Sequence, residues 1–218
     1  MDIVLINASP RGNGNSGLIA GSFAEGVARA GARCELYCLA DRSLWGKAGT
    51  AICRGAVTVF VLPLFVEGVP GIMMEFLEGF AARLRSDTCG SPRNMAFILH
   101  SGFPEACQRR CCEQYLKKLP DLLQSRYAGI LSRGDTFFLS CVEPDKAAGL
   151  LDAYRDMGQE FAAHGGNFFF SAAEAFTGTE YFTAKEARYH NRMAGLFLEQ
   201  QAQKRGCRVP LTDAPYEP

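Results

Sequence analysis

Residues 7–17 read NASPRGNGNSG, directly behind the apolar run IVLI at 3–6. Within these eleven residues lie three glycines, three asparagines, two serines, one proline and one arginine. Beyond the loop, Ile19, Phe23, Val27 and Ala30 recur at helical spacing, with Ser16 placed to cap the helix. The stretch is therefore a strand, a loop of small donors and an amphipathic helix in succession. Such a loop suits an anion, because a helix N-terminus presents unsatisfied amides and the positive end of its dipole.

The same alternation continues along the chain. Further apolar runs fall at about 33–39 (RCELYCL), 56–62 (AVTVFVL), 95–100 (MAFILH) and about 127–132 (YAGILS). Three of the five runs are nearly continuous in apolar residues, as central parallel strands covered on both faces require. Between them, Met73, Phe76, Phe80 and Leu84 form one helical stripe, with Pro70 suited to its first turn. Cys112, Tyr115 or Leu116, Leu119 and Leu123 form another, which Pro120 should kink or end. A fourth joins Leu150, Tyr154, Met157 and Phe161, closed by Gly165 and Gly166. Residues 40–55 give no clean period and read as loop or short helix. Five strands alternating with helices predict an α/β doubly wound sheet with right-handed crossovers and helices on both faces.

Composition narrows the partners. A chain of 218 residues predicts one domain and leaves room for an appendage. We place the main domain at 1–165 and a C-terminal extension at 166–218, with a helix over about 183–204 and an extended proline-rich tail. The extension packs on its own domain or on a partner subunit. Lys plus Arg and Asp plus Glu both number 23, so no attraction to nucleic acid is expected. The longest apolar stretch, 56–66, is too short to span a membrane and contains Pro63. The N-terminus has an acid where a signal peptide needs a basic region, which predicts a cytoplasmic protein. Nine cysteines, an odd number without Cys-x-x-Cys spacing, argue against a disulfide framework, a zinc knuckle or an iron–sulfur cluster. Cys107, Cys111 and Cys112 read as free thiols on an amphipathic helix, and no metal site is expected.

Three phosphate-binding patterns compete for the opening loop. The nucleoside triphosphate loop, G-x-x-x-x-G-K-S/T, fails because Leu18 and Ile19 follow Gly17 where Lys and a hydroxyl belong. The dinucleotide fingerprint G-x-G-x-x-G matches Gly12, Gly14 and Gly17 literally, with Asp41 as a candidate ribose acid. That pattern places its first glycine immediately after the strand, whereas here NASPR intervenes. The third pattern serves a terminal phosphate monoester. A dianion with three free oxygens needs many donors, and Ser9, Asn13, Asn15, Ser16 and loop amides supply them, with Arg11 adding charge if it turns inward.

INASPRGNGNSG also resembles the phosphate loop, G-S-P-R-x-x-G-N-S/T, of the flavodoxin-like NAD(P)H-dependent FMN reductase and quinone reductase family. Ser9, Pro10, Arg11, Gly14, Asn15 and Ser16 match it position by position, while Ala8 replaces its first glycine. LPLFVEGVPGIMMEFLE at 62–78 is similar to the family's segment after the third strand, which lines the isoalloxazine ring, with Phe65 where Tyr is frequent. HSGF at 100–103 stands at the family's second flavin-contacting loop. The resemblance covers about 1–165 and implies a flavodoxin-like five-stranded parallel sheet of order 2-1-3-4-5. It further implies bound FMN, NADH or NADPH as co-substrate, a small acceptor such as a quinone or free flavin, ping-pong turnover and a homodimer. The alternative is a flavodoxin-like electron carrier reduced by a partner protein; such carriers tend to be shorter and strongly acidic. A dinucleotide-binding dehydrogenase resting on the three glycines stays as a third reading.

In that sheet order, ligands bind at strand carboxyl ends near the switch point between strands 1 and 3, where all three loops lie. The candidate cofactor residues are Ser9, Arg11, Asn13, Asn15 and Ser16 for the phosphate, with Pro63, Leu64, Phe65, Val66, His100, Ser101, Gly102 and Phe103 for the ring. Backbone amides of 64–66 and 101–103 are expected at the ring's polar edge. No catalytic acid or base is assigned. His100 reads either as a group near the reduced ring or, with more weight, as a structural residue of its turn. Asp135 is a candidate at the substrate mouth.

Overall fold

The computed structural model describes residues 1–54, 57–84, 93–139, 142 and 144–207. The predicted tail at 208–218 and the first residue of the third apolar run, Ala56, lie outside them. Five parallel strands, β1 (Asp2–Asn7), β2 (Arg33–Cys38), β3 (Val57–Pro63), β4 (Arg93–His100) and β5 (Ser125–Arg133), form one sheet of order 2-1-3-4-5. Seven helices are described: α1 (Asn15–Arg29), α2 (Trp45–Arg54), α3 (Gly71–Leu84), α4 (Arg110–Leu122), α5 (Pro144–Ala163), α6 (Ser171–Ala175) and α7 (Ala184–Lys204). The ambiguous stretch after β2 resolves into a short 3-10 turn and α2.

Strand alternation sorts the side chains into two cores. Val4, Ile6, Phe60, Leu62, Phe97 and Leu99 face one side, with α2, α3 and α4. Ile3, Leu5, Val59, Val61, Ala96 and Ile98 face the other, with α1, α5 and the segment through Phe168 and Phe176. The α4 stripe runs through Leu116, not Tyr115, which is exposed. Pro120 lies two residues before the end of α4, where the termination expected of it falls. Ala30 is exposed beyond the last turn of α1, so the buried stripe there ends at Val27.

The edges of the sheet differ. β2 is half exposed, as an edge strand is. On β5, Gly129 adopts φ +95°, and the β4–β5 register shifts between Met95 and Phe97. A Cβ at Gly129 would stand 2.8 Å from the Phe168 Cβ. This close approach lets the Phe168 amide donate to the Ala128 carbonyl at 2.8 Å. The segment after α5 is thereby fixed on the second core.

Contacts divide the chain into two compact units, Met1–Glu180 and Tyr181–Pro218. Residues 166–180 thus pack with the sheet, because Phe168, Ala173 and Phe176 are part of its core. In the second unit, Thr183 and Glu186 form a capping box at the start of α7, and Phe182 stacks on His190 at 4.4 Å. Among the described residues, no helix is long and apolar enough to cross a membrane. Six described cysteines, including Cys107, Cys111 and Cys112, are free thiols, whereas Cys53 is disulfide-bonded. An odd count without Cys-x-x-Cys spacing speaks against a framework of bridges and does not reach a single pair.

Candidate functional site

The loop after β1 is rooted in the sheet. Ala8 donates to the Val61 carbonyl at 2.8 Å, and Leu39 donates to the Asn7 carbonyl at 2.9 Å. The buried Asn7 side chain then braces the loop from inside. Its Oδ1 accepts the Ser9 amide at 3.1 Å, and its Nδ2 donates to the Gly12 carbonyl at 3.3 Å. A Cβ at Gly17 would stand 2.5 Å from that carbonyl oxygen. Gly17 therefore lets the loop fold back onto the first turn of α1. This close packing accounts for the glycine at 17 without a dinucleotide turn. Asp41, the candidate ribose acid of that reading, accepts from the Ser43 amide at 3.0 Å and its hydroxyl at 2.6 Å.

The N-terminus of α1 is the candidate anion site. Gly14 is the N-cap, extended at φ −92° and ψ −167°, and no side chain caps the helix. The sequence places Ser16 as the cap, but the cap is Gly14, two residues earlier, and Ser16 sits inside the first turn of the helix. Ser9 and Ser16 are buried, Asn15 is half-buried, and Arg11 and Asn13 are exposed on the rim. The Ser9 hydroxyl oxygen accepts the Arg11 amide at 3.2 Å, which leaves its proton to donate. A first turn without a side-chain cap offers its amides and dipole to a negative charge, and no acidic residue stands there to repel it.

Asn15 and Ser16 also tie the loop to the far side of the sheet. Asn15 Nδ2 donates to the Thr136 carbonyl at 2.7 Å and to the Phe137 carbonyl at 3.4 Å. The Ser16 hydroxyl lies 2.7 Å from His100 Nε2, and His100 Nδ1 lies 2.9 Å from the Thr136 hydroxyl. That hydroxyl reaches the Ser101 carbonyl at 2.9 Å. A chain of polar groups thus runs from the anion loop, through the end of β4, to the turn after β5. Thr136 is the residue that sequence reasoning missed. Asp135, the neighbour it singles out, is exposed at φ +57°.

His100 is 4% exposed, and burial pushes its pKa down to about 4. It is therefore neutral at pH 7 and aims at Ser16. A buried neutral imidazole must be solvated to take a proton, so the sign of its pH effect is fixed. The unfolded chain binds this proton below about pH 6.5 and the folded chain only below about 4. Its contribution to stability is thus fully present above pH 6.5 and lost as pH falls towards 4. We expect about 3 kcal/mol of stability to disappear across that window through this residue. Denaturant titrations at pH 7 and pH 4.5 check this. The slope should flatten in His100→Gln, and an unchanged slope counts against it.

The loops after β3 and β4 complete the rim. The Leu64 amide donates to the His100 carbonyl at 2.8 Å, and the Ser101 amide donates to the Arg133 carbonyl at 3.0 Å. Phe65 and Gly68 exchange two hydrogen bonds at 3.0 and 2.9 Å, closing a tight hairpin around Val66 and Glu67. The amides of 64, 65 and 101, expected at a ring edge, are therefore held by main-chain carbonyls. Those of Val66, Gly102 and Phe103 are left for that role. Val66 and Glu67 have φ +46° and +63°, a geometry that glycine and asparagine favour and that strains a β-branched residue. Val66 is fully exposed, and Phe65, Phe103 and Phe137 are exposed on the segments after β3, β4 and β5, so these loops carry apolar surface. Strain and exposed aromatic surface together are features of a ligand-facing loop.

A separate cleft of about 510 Å³ lies beside α5 and α6, lined by Arg133, Leu150, Ala153, Ala172, Ala175 and Phe176. Its walls are mainly apolar, and the anion loop does not reach it. The candidate site is instead an open rim at the strand ends, defined by donors and not by enclosed volume.

The five-stranded parallel sheet of order 2-1-3-4-5, with helices around it, is a flavodoxin-like fold, and the candidate rim lies at its β1–β3 switch point. Solved structures share the fold. An FMN-dependent NADH-azoreductase from Bacillus anthracis, in complex with FMN, superposes with a TM-score of 0.53 at 18% identity, covering 77% of this chain and 100% of its own. An NAD(P)H:quinone oxidoreductase from Methanothermobacter marburgensis gives 0.52 at 16% identity, covering 74% and 96%. A WrbA-like flavodoxin protein from Agrobacterium tumefaciens gives 0.52 at 17%, covering 75% and 96%. No family model and no curated protein matches the chain.

Proposed function

We propose that the chain is an FMN-dependent oxidoreductase that takes reducing equivalents from NADH or NADPH and passes them to a small acceptor, a quinone, a free flavin or a similar molecule. The observation that carries the reading is the uncapped N-terminus of α1, set beside the buried hydroxyls of Ser9 and Ser16 at the β1–β3 switch point. The names of the solved structures that share the fold support the same class.

When bound, FMN would supply the redox chemistry between nicotinamide and the acceptor, in a ping-pong sequence. The residues present fit the group. Ser9, Ser16 and the amides of the first turn hold the phosphate, while Asn13 and Arg11 close its exposed side. Pro63, Leu64, Phe65 and Val66 take one edge of the ring, and Ser101, Gly102 and Phe103 take the other. The exposed rings of Phe65 and Phe103 exclude water from the reacting face. His100 acts behind the phosphate, through Ser16, and no protein acid or base is required. In the second unit, Tyr181, Tyr189, Met193, Leu196 and Leu198 are exposed, which supports a homodimer as part of the proposal.

Purification and a visible spectrum test the reading. A protein that is colourless and cannot be loaded with FMN overturns it. Loaded protein mixed anaerobically with NADH or NADPH should bleach, whereas bleaching by a chemical reductant alone identifies an electron carrier. Ser16→Ala removes a charge-assisted hydrogen bond and should weaken FMN binding about tenfold or more. Asn15→Ala, which frees the 136–137 turn, should cause a smaller loss. Flavin fluorescence titration reads both, and unchanged affinity in the pair counts against the phosphate assignment.

A further inference from the structure

We infer that His100 is a tautomeric relay that sets the polarity of Ser16, so that seating a phosphate at α1 moves the imidazole proton from Nδ1 to Nε2. The inference rests on the anion-binding reading above and adds to it a residue that positions the phosphate donor without touching the ligand.

Counting protons along the chain of groups fixes the starting tautomer. Thr136 Oγ1 donates to the Ser101 carbonyl at 2.9 Å, so at its contact with His100 Nδ1, 2.9 Å away, it must accept. Nδ1 then carries the ring proton. Nε2 is consequently a bare lone pair, and Ser16 Oγ, 2.7 Å from it, must be the donor. In this arrangement the only proton of Ser16 points at the histidine and away from any anion. A phosphate dianion at the helix N-terminus would meet an oxygen lone pair on Ser16.

The reverse arrangement satisfies every group equally well once an anion is present. With the proton on Nε2, His100 donates to Ser16 Oγ, and the Ser16 hydroxyl is free to donate to phosphate. Thr136 Oγ1 turns its proton to Nδ1. The Ser101 carbonyl keeps a partner, because the Thr136 amide also donates to it at 3.0 Å. Without an anion the first arrangement makes three hydrogen bonds within the chain of groups and the second makes two. With a dianion the second gains a charge-assisted bond and is favoured. Nε2 takes the Ser16 hydroxyl proton, which Ser16 regains from water, and Nδ1 passes its proton to the Thr136 oxygen, which releases its own to water; one proton enters and one leaves, and net charge is unchanged. The buried, neutral state of His100 keeps both nitrogens in this role and prevents a competing cation.

Long-range proton–nitrogen NMR on protein labelled with ¹⁵N-histidine reads the tautomer directly. His164, exposed, and His190, half-buried, serve as internal references, and His100→Gln assigns the remaining signal. The Nδ1–H form is expected in the free protein, and the Nε2–H form on titration with FMN or with inorganic phosphate. Riboflavin, which lacks the phosphate, should leave the ring as it was. FMN that binds by fluorescence while the ring keeps its proton on Nδ1 overturns the relay and spares the function. A shift produced by riboflavin overturns it too. If phosphate shifts the ring but FMN does not bind, the relay stands and the flavin reading falls; if neither binds, both fall. His100→Gln, whose amide nitrogen reaches the Nε2 position, should hold FMN within about threefold of the parent, and His100→Asn about tenfold more weakly. Equal losses in the two would mean that the ring is only packing.

Discussion

Arg109→Met should destabilise the protein by about 3–5 kcal/mol, lowering the melting temperature by about 6–20 °C, the cost typical of orphaning a buried charge network. Arg109 is 0% exposed, the largest fully buried side chain among the described residues. Its guanidinium makes six hydrogen bonds. Nε donates to Ser132 Oγ at 2.9 Å, Nη2 to the Thr177 carbonyl at 2.7 Å, and Nη1 to Ser101 Oγ and the carbonyls of Phe103, Pro104 and Glu105 at 3.1–3.5 Å. Burial pushes its pKa down while Glu113 pushes it up. That carboxylate accepts from Ser132 at 2.5 Å, so the charge is balanced through one hydroxyl. Gly134 makes room for the group, since a Cβ there would stand 2.5 Å from Nη1.

Methionine fills much of the volume and satisfies none of the acceptors, leaving four carbonyls and two serines facing an apolar side chain. The affected carbonyls belong mainly to the 101–105 loop, so FMN retention should fall together with stability. Arg109→Lys should recover less than half of the loss, because one ammonium cannot span a fork of acceptors. Chemical denaturation of the three proteins checks the order. A methionine variant within 1 kcal/mol of the parent would show that the loop is organised by something else.

Arg109 also marks where sequence reading stops. Apolar runs and helical stripes disclose the sheet, because burial on two faces leaves a periodic trace, and all five runs become strands. The loops at the strand ends are legible for the same reason, being what interrupts those runs. CQRRCC, however, draws attention to its cysteines, and nothing local says that Arg109 points inward while Arg110 pairs with Glu113 and Glu180. The acceptors of Arg109 come from 101–105, 132 and 177, so only the folded topology assembles them. Thr136 escapes likewise, since its partners are His100, Ser101 and Asn15. Ser16 is legible as a polar residue of the anion loop. Its orientation depends on a histidine 84 positions away.

Gly26→Ala and Gly158→Ala should each cost about 2–3 kcal/mol, although alanine at a helix interior ordinarily gains up to about 1 kcal/mol over glycine. The reversal follows from the crossing of α1 and α5. A Cβ at Gly26 would stand 1.8 Å from the Arg155 carbonyl oxygen, and one at Gly158 2.2 Å from that of Phe23. Both obstacles are backbone, so no rotamer change relieves them and the helices must separate. Separation loosens the Phe23, Phe161 and Phe168 cluster, whose centroids lie 4.4–5.9 Å apart. Gly21 supplies the control. It lies in α1, and a Cβ there would meet nothing within 4 Å, so Gly21→Ala should stabilise by about 0.5–1 kcal/mol. The double variant Gly26→Ala/Gly158→Ala should cost less than the sum, because one displacement of the helices relieves both clashes. Thermal denaturation of the four variants decides it, and additive losses would mean that the two contacts yield independently. Since α1 carries the anion loop on its first turn, the same displacement should weaken FMN binding, while Gly21→Ala should leave it intact. Under the proposed function, the close crossing would thus hold the donor set at the end of the sheet.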